Sequence, residues 1–437
     1  MRASADCFRA PLVLRIICFL LVSAERSRTL GCARLLGAWL ETSFSTSRFR
    51  RLVLHLPRLY PAALWARLDR LSAVAEFSLS PPVLVGAAYA AFLVLGGSGV
   101  SRAAFLPVAV FVPAFALGYR VCSAARARRV AFEEHSQRLA LSLLLASLAA
   151  LCLDIYRAGA VPLIEPAARA KLSVALTYAS TFLVPAAVLL GAELCERHRR
   201  GSISTAEVRM YLLALAAGAV FLITLLGFRT QTAVAVLSFL ILMRMYRLIG
   251  NAEILAAAVL LVAAVGAIGA HRLASGGGEA DIGEVLGGRA KLTVAVYDQL
   301  VRQLQEAGAL LTGYYHGRLA LSTFSSFLGF VPGPGLGART AVAQEFGVSG
   351  ISMTSTLLGT VVLDLGLVGV ALFGISSGAA IGSARAIAFT RTGAALYSTL
   401  LAYILVGIET GLVDFSVLLL FSLPPLLLLC SLWRCSG

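Results

Sequence analysis

The sequence predicts an all-α fold: a polytopic transmembrane helix bundle of about ten spans, with both termini in the cytoplasm and one long structured external loop. Apolar residues make up 59% of the 437 residues and charged residues only 14%, so a soluble globule would expose far too much apolar surface. Apolar stretches long enough to cross a bilayer recur along the chain, and arginines cluster in the short loops between them.

The predicted spans divide the chain into four regions. Residues 1–75 form a basic N-terminal region, residues 80–271 hold seven spans, residues 272–363 form the external loop, and residues 364–437 hold three more spans. Several of the apolar stretches are short for a helix that crosses the hydrocarbon core. They are Pro82–Gly97, Ala103–Tyr119, Leu139–Tyr156, Leu172–Ala192, Tyr211–Phe228, Thr232–Met245, Ile254–Ala270, Gly366–Phe389, Ala394–Ile408 and Val413–Leu429.

The orientation follows from the arginines, because positively charged loops remain in the cytoplasm. Two loops of the same parity carry many of these charges, and we assign both to the cytoplasmic side. The first holds Arg120, Arg126, Arg128, Arg129 and Arg138, and the second holds Arg197, Arg199, Arg200 and Arg209. The long loop and the turn that contains Arg229 then lie outside the cell.

The N-terminal region combines a short apolar run, Pro11–Ala24, with many arginines, and Arg15 interrupts the run. Several interpretations are open. The run is a secretory signal peptide, or the region is an amphipathic helix or a disordered segment at the cytoplasmic membrane surface, or the start codon is misassigned and the chain begins near Ala73.

The net charge of +15 comes almost wholly from arginine, since Lys171 and Lys291 are the only lysines. In a membrane protein such charges set the topology, so we do not expect nucleic acid as a partner. None of the eight cysteines lies in the long loop, and no Cys or His spacing is typical of a zinc or haem site. We therefore expect a loop without disulfides and a protein without a metal or another cofactor.

The external loop contains most of the polar groups that face away from the cytoplasm, so we expect the functional site there. Asp298 and Glu306 fall on the polar side of a predicted amphipathic helix and are expected to be solvated. Ile351–Val362 is predicted to be a re-entrant helix. The apolar side of the amphipathic helix is predicted from the helical spacing of Val296, Leu300, Leu304, Ala307 and Leu311.

Residues 332–337 read Pro-Gly-Pro-Gly-Leu-Gly, a pattern that superficially resembles a nucleotide-binding glycine loop. No strand precedes the pattern and its prolines prevent a helix from starting inside it, so we do not expect such a site. The alternation instead predicts an irregular turn that directs Arg339 toward the membrane surface. Glu345 follows six residues later and is expected to form an ion pair with Arg339.

Three glycines, Gly374, Gly378 and Gly382, recur every four residues within a predicted span. This spacing places a smooth stripe on one side of the helix, where the backbone of a neighbouring helix can approach closely. The stripe therefore predicts helix packing.

Charged residues near hydrocarbon are costly and usually have a partner or a task. Arg229 occupies a turn of only a few residues between two spans, where its guanidinium group can bind a lipid-linked phosphate through two hydrogen bonds. Arg289, Arg318 and His316 are candidates within the loop. The alternative for His316 is an ordinary surface residue.

Three features together carry a resemblance that covers the chain from about Ser80 to the C-terminus. One long external loop lies late in the chain; residues 159–163 read Gly-Ala-Val-Pro-Leu, similar to a Gly-Ile-Pro-Leu element; and residues 364–369 read Asp-Leu-Gly-Leu-Val-Gly after a Ser/Thr-Gly segment, similar to an Asp-Phe-Gly-x-x-Gly helix start. In these features the chain resembles the Wzy-like oligosaccharide repeat-unit polymerases, a family related to the O-antigen polymerases and ligases.

The resemblance implies a metal-independent, GT-C-like glycosyltransferase that polymerises polyprenyl-diphosphate-linked oligosaccharide repeat units at the external face of the cell membrane. Donor and acceptor are then both polyprenyl-diphosphate-linked oligosaccharides, and the protein partners are a flippase and a chain-length regulator. The resemblance also implies that Arg229, Arg289, Arg318 and Arg339 bind the diphosphate of the lipid carrier.

The chemistry of these residues agrees with that reaction. Breaking a bond between a sugar and a diphosphate builds negative charge on the leaving oxygen atoms, and arginines in a partly dehydrated site stabilise that charge. The acceptor hydroxyl group must also lose a proton. The candidate bases are Asp364, His316 and Glu345, in that order.

Other functions stay open. An oligosaccharide ligase uses the same donor and transfers the glycan to a lipid or a protein, so the sequence does not separate it from a polymerase. A polysaccharide or lipid transporter or flippase usually shows internal repeats and charged groups near the membrane midplane, whereas the span centres here are nearly free of charge. A membrane scaffold without catalytic activity is a further alternative.

Overall fold

The structure, a computed structural model, describes residues 80–97, 99–125 and 136–250, several positions between 253 and 266, and residues 282–319, 338–348, 353–411 and 420–428. Every regular element in this part of the chain is helical, which confirms the predicted all-α class. The helices with defined ends are α1 (Pro81–Leu95), α2 (Arg102–Ser123), α3 (Ser136–Ala158), α4 (Val174–Thr181), α5 (Leu183–Arg199), α6 (Thr205–Leu225), α7 (Arg229–Met245), α8 (Ile282–Glu306), α9 (Ala338–Glu345), α10 (Thr356–Ala386) and α11 (Arg391–Thr410).

Six helical segments of the described chain are long and apolar enough to cross a membrane: α2, α3, the continuous α4–α5, α6, α10 and α11. The chain is therefore a multi-pass membrane protein. The count of ten spans and the cytoplasmic position of both termini stay predictions, because the stretches Ile254–Ala270 and Val413–Leu429 lie partly outside the described residues. The basic N-terminal region, with its open interpretations, also lies outside them.

The glycine stripe of α10 packs against α2, as predicted. A Cβ atom added to Gly378 would lie 2.1 Å from the carbonyl oxygen of Phe115. From the facing helix, a Cβ atom added to Gly118 would lie 2.2 Å from the carbonyl oxygen of Ile375. The two backbones are therefore in direct contact, which is the usual role of small residues between membrane helices.

The amphipathic helix predicted in the loop is α8, and its apolar side is buried. Leu300 and Leu304 are almost completely shielded from solvent. The prediction was wrong at the end of the helix, because α8 stops at Glu306 and both Ala307 and Leu311 are exposed. Glu306 is exposed, as predicted.

The prediction that Asp298 is solvated was wrong. Its side chain is buried; it accepts a hydrogen bond from the main-chain N–H of Ser101 at 3.0 Å and forms an ion pair with Arg302 at 2.6 Å. Val294 and Val301, one turn before and after Asp298, are also buried, because this side of α8 contacts the turn between α1 and α2. The carboxylate therefore fastens α8 to the start of α2.

The structure interrupts the helix at Gly366, the predicted boundary, and has an apolar helical segment before it. That Ile351–Val362 re-enters the membrane stays a prediction. α10 already begins at Thr356, and Gly366 interrupts it with φ 61° and ψ −155°. This backbone conformation is nearly confined to glycine. Past the break, the main-chain N–H of Leu367 donates to the carbonyl oxygen of Leu310, outside the helix, at 2.9 Å. The break therefore joins a membrane helix to the loop that follows α8.

Replacing Gly378 with alanine is expected to lower the melting temperature of the protein purified in detergent. The added methyl group would overlap the Phe115 carbonyl oxygen, and overpacking usually costs about 1–3 kcal/mol of the free energy of unfolding. Gly218→Ala in α6 is the matched control, because a methyl group there meets nothing within 4 Å and alanine favours helices. Equal melting temperatures for the two variants would contradict the close packing.

Candidate functional site

Three of the four predicted diphosphate ligands, Arg229, Arg289 and Arg339, line one cavity of about 400 Å³, here called the arginine cavity. No carboxylate belongs to its lining in the part of the chain that the structure describes, so positive charge dominates its surface. The remaining lining comes from α4, from the turns before α4 and α7, and from the start of α7. It comprises Leu172, Val174, Thr177, Tyr178, Thr181, Gly227, Phe228, Thr230 and Gln231.

Arg229 is the first residue of α7 and follows a tight turn. Gly227 takes φ 70° in that turn, a conformation that favours glycine. The main-chain N–H of Leu163 donates to the carbonyl oxygen of Leu225 at 3.0 Å, at the end of the preceding helix. Leu163 closes the Gly-Ala-Val-Pro-Leu element, so this element supports the turn that presents Arg229.

The C-terminal end of α11 holds the other two arginines of the cavity. Arg289 Nε donates to the Glu409 carboxylate at 2.5 Å, and Arg339 Nη2 donates to the carbonyl oxygen of Thr410 at 2.8 Å. Carbonyl groups at a helix C-terminus carry partial negative charge and attract cations. Arg339 Nε is buried and has no hydrogen-bond partner among the described residues.

α11 also fixes Arg229, through α7. The Tyr403 hydroxyl group donates to the side-chain oxygen of Gln231 at 2.9 Å, and both side chains are buried. Gln231 lies two residues after Arg229 in the same helix. Other helices enclose α11 more completely than any other described span. Of the residues in its most apolar 18-residue stretch, 78% are buried, compared with at most 50% in each of the other spans. One enclosed helix therefore sets the positions of all three arginines.

The other predicted site residues lie apart from the arginine cavity and do not line it. His316 and Arg318 belong to the segment that follows α8, and Asp364 contacts that segment. The buried carboxylate of Asp364 accepts main-chain hydrogen bonds from Gly317 at 2.9 Å and from Leu319 at 3.2 Å. His316 and Arg318 are exposed. His316 has φ 48°, a left-handed conformation that is strained for a residue other than glycine and that occurs often at functional sites.

The predicted ion pair between Glu345 and Arg339 is not found in the described part of the chain. The Glu345 carboxylate instead accepts a hydrogen bond from the Tyr315 hydroxyl group at 2.9 Å. Residues six apart on a helix do not face each other, so the spacing was a poor reason for a pair. Burial, reinforced by the Glu345 carboxylate, raises the pKa of Tyr315 to about 12, so the hydroxyl group stays protonated at neutral pH.

The contact between Glu345 and Tyr315 links the two parts of the site. The short helix α9 carries both Arg339, which lines the cavity, and Glu345. Tyr315 directly precedes His316. One short helix therefore connects the arginine cavity with the strained histidine.

The sequence did not predict a role for Asp154, which lies behind the cavity wall. Its side chain is 0% exposed, and its two carboxylate oxygens accept hydrogen bonds from the main-chain N–H of Ser173 at 2.8 Å and from the Thr177 hydroxyl group at 2.7 Å. Thr177 lines the cavity. The signal in the sequence was an aspartate within an apolar span, a costly placement that usually implies a partner.

A second cavity, of about 570 Å³, lies against α5 and the N-terminal part of α11; we call it the apolar cleft. Thr181 lines the arginine cavity, and the next residue, Phe182, lines the cleft. The cleft is surrounded by α3, α5, the end of α10, α11 and the helical residues 420–428. Its lining consists of Leu139, Leu143, Phe182, Pro185, Leu189, Ile387, Thr390, Thr392, Ala395, Leu396, Leu420, Leu423 and Leu427.

Comparisons with known proteins agree with this architecture. The sequence profile of a family described as "Putative O-antigen polymerase" matches residues 78–421. An uncharacterised protein of Methanocaldococcus jannaschii is 30% identical over 284 residues, which cover 64% of this chain and 72% of the relative. No solved structure matches the chain significantly. The chain belongs to the O-antigen polymerase family, which implies a multi-pass membrane enzyme of the glycosyltransferase type that acts in polysaccharide biosynthesis.

Proposed function

We propose that the protein polymerises oligosaccharide repeat units carried on polyprenyl diphosphate, at the external face of the cell membrane. The observation that carries the proposal is the convergence of Arg229, Arg289 and Arg339 on one cavity whose described lining contains no carboxylate. Family membership supports a lipid-linked oligosaccharide as the substrate. The external location is supported by the arginine-rich loops, which favour the opposite side of the membrane as the cytoplasmic one.

The charge of the cavity suits a diphosphate. Its described lining carries three guanidinium groups and no carboxylate, and the Glu409 carboxylate pairs with one of them, that of Arg289, so the lining presents positive charge to the two phosphates. Transfer breaks the bond between the sugar and the diphosphate, and negative charge grows on the leaving oxygen atom. Guanidinium groups held in place before the reaction stabilise this charge more than mobile water does. In this proposal the arginines supply the positive charge that leaving-group departure requires.

The apolar cleft suits the isoprenoid chain of the same lipid. Its lining is almost wholly apolar, and one of its residues, Phe182, directly follows Thr181 of the arginine cavity in the sequence. Burial of an isoprenoid chain there removes apolar surface from water and polar head groups. In this proposal the arginine cavity binds the charged diphosphate and the apolar cleft binds the long apolar tail.

For the proton acceptor we propose His316. It is exposed and strained, and an imidazole is an effective base near neutral pH. The sequence placed Asp364 first, but the Asp364 carboxylate already accepts two main-chain hydrogen bonds, and the Glu345 carboxylate accepts one from Tyr315. We propose that Asp364 and Glu345 position the segment that carries His316. Arg318, exposed in the same segment, is proposed to bind the diphosphate of the second lipid-linked substrate.

The same reaction requires two further proteins. A polar oligosaccharide does not cross a bilayer unaided, so a flippase must deliver each lipid-linked repeat unit to the external face. A chain-length regulator is the proposed second partner, since the cavity described here has no feature that measures the polymer.

Replacing Arg339 or Arg229 with alanine is expected to abolish chain extension. Removal of one preorganised donor at a developing negative charge usually costs about 10²–10³-fold in rate. The measurement is the length distribution of glycans formed from purified lipid-linked repeat units, with expression matched. Arg157→Ala, an exposed arginine outside the cavity lining, is the control and should give wild-type lengths. Wild-type lengths in both cavity variants would count heavily against the assignment.

Asp364→Asn is expected to keep most of the activity, because the amide oxygen still accepts hydrogen bonds from Gly317 and Leu319. His316→Ala is expected to lose about 10²–10⁴-fold in rate, the usual contribution of a general base. The two variants are compared by the initial rate of chain extension at several pH values. An inactive Asp364→Asn variant beside an active His316→Ala variant would reverse the two roles.

Deletion of the gene is expected to leave single repeat units on the cell surface, because ligation still proceeds without polymerisation. The measurement is mass analysis of surface glycans and of polyprenyl-linked glycans with and without the gene. If long chains instead accumulate on the polyprenyl carrier, the protein is a ligase.

A further inference from the structure

We propose that the α4 wall of the arginine cavity is a subsite for the sugar attached to the diphosphate. In this subsite Asp154 orients Thr177 to accept a hydrogen bond from a hydroxyl group of that sugar. The inference rests on the proposed function and concerns a part of the donor that the arginines do not recognise.

The lining of the cavity has two chemically different parts. The arginines supply cationic donors, whereas α4 contributes the hydroxyl groups of Thr177, Tyr178 and Thr181. At about 400 Å³ the cavity is within the range of roughly 300–1,000 Å³ that holds small organic ligands. This is more space than a diphosphate group fills. The α4 wall is therefore available to the sugar that the diphosphate carries.

The Thr177 hydroxyl group has a fixed polarity. Its hydrogen atom is donated to the Asp154 carboxylate at 2.7 Å, and a hydroxyl group has no second hydrogen atom to donate. The Thr177 oxygen therefore presents lone pairs to the cavity and can accept a hydrogen bond but not donate one. A sugar hydroxyl group satisfies this requirement. A phosphate oxygen, itself an acceptor, does not, so the wall discriminates between the two parts of the donor.

Asp154 is held firmly enough to impose this polarity. Its side chain is 0% exposed, and its other oxygen accepts the main-chain N–H of Ser173, the residue that precedes α4. With one oxygen bound at the start of the helix and the other at Thr177, the carboxylate cannot rotate without losing a hydrogen bond. A neutral side chain would satisfy the N–H of Ser173 equally well. The second carboxylate oxygen is needed only to receive the hydrogen of Thr177.

Asp154→Asn tests the proposal because it reverses the polarity with little change in volume. The amide oxygen still accepts from Ser173, and the amide N–H₂ group then faces Thr177, which must turn its own hydrogen toward the cavity. Thr177→Val removes the hydroxyl group at nearly constant shape, and Thr177→Ser retains it. The substrate probe is the lipid-linked repeat unit that accumulates in the deletion strain. The inhibitor probe is polyprenyl diphosphate that carries no glycan.

We expect Thr177→Val to raise KM for the lipid-linked repeat unit ~10-fold, the usual weight of one hydrogen bond to a ligand. Asp154→Asn should raise KM less, because the sugar hydroxyl group can rotate and accept a hydrogen bond from Thr177. The inhibition constant of the sugar-free polyprenyl diphosphate should stay within twofold of wild type, roughly the limit of a measurable difference, and Thr177→Ser should resemble wild type in both measurements. An unchanged KM in Thr177→Val overturns the proposal. So does an equal rise of KM and the inhibition constant, since the wall would then be merely structural.

The proposed function fails in a different way. If the wild-type protein does not extend the lipid-linked repeat unit, or extends it without inhibition by sugar-free polyprenyl diphosphate, the arginine cavity is not a diphosphate site. In that case the polyprenyl-diphosphate assignment itself is wrong. If the wild-type protein does both, the variants of Asp154 and Thr177 decide the sugar subsite alone.

Discussion

The rest of the site depends on the C-terminal end of α11. Three guanidinium groups that line one cavity repel one another. Two of them, those of Arg289 and Arg339, belong to α8 and α9, which are not spans of the bundle. Glu409 and the carbonyl oxygen of Thr410 offset that repulsion and fix two of the groups, and Tyr403 fixes the start of the helix that carries the third. Since α11 is enclosed on nearly all sides, these contacts rest on a helix that cannot easily move. Preorganisation of this kind is what electrostatic catalysis needs.

The site joins an electrostatic part and an acid–base part through a small number of contacts. The helix α9 contributes Arg339 to the cavity and Glu345 to the segment of His316, while Asp364 holds the same segment from the membrane side. A displacement of α9 would therefore affect the bound diphosphate and the proposed base together. In the proposed reaction, the departure of polyprenyl diphosphate from the donor and the deprotonation of the acceptor hydroxyl group would therefore both depend on α9.

Much of the fold could be predicted because composition and periodicity report directly on single helices. The all-α class, the glycine stripe of α10 and the buried face of α8 were of this kind. Each arginine was predicted separately as a diphosphate ligand, from its own turn or loop. Their convergence on one cavity depends on tertiary packing, which such local patterns do not report. Contacts between distant elements were missed for the same reason. Asp298 meets Ser101 across almost two hundred positions, and Asp154 acts through Thr177 on another helix, so neither contact leaves a local pattern.

The interruption of α10 at Gly366 limits how this protein can diversify. Gly313 lies so close to the broken helix that a Cβ atom there would be 2.5 Å from the carbonyl oxygen of Asp364, and the main-chain N–H of Tyr314 donates to the carbonyl oxygen of Leu363. Loop and helix thus share one interlocked backbone surface. A chimera that takes this loop from a relative must therefore also take the interrupted part of α10, because the two backbones fit only as a pair.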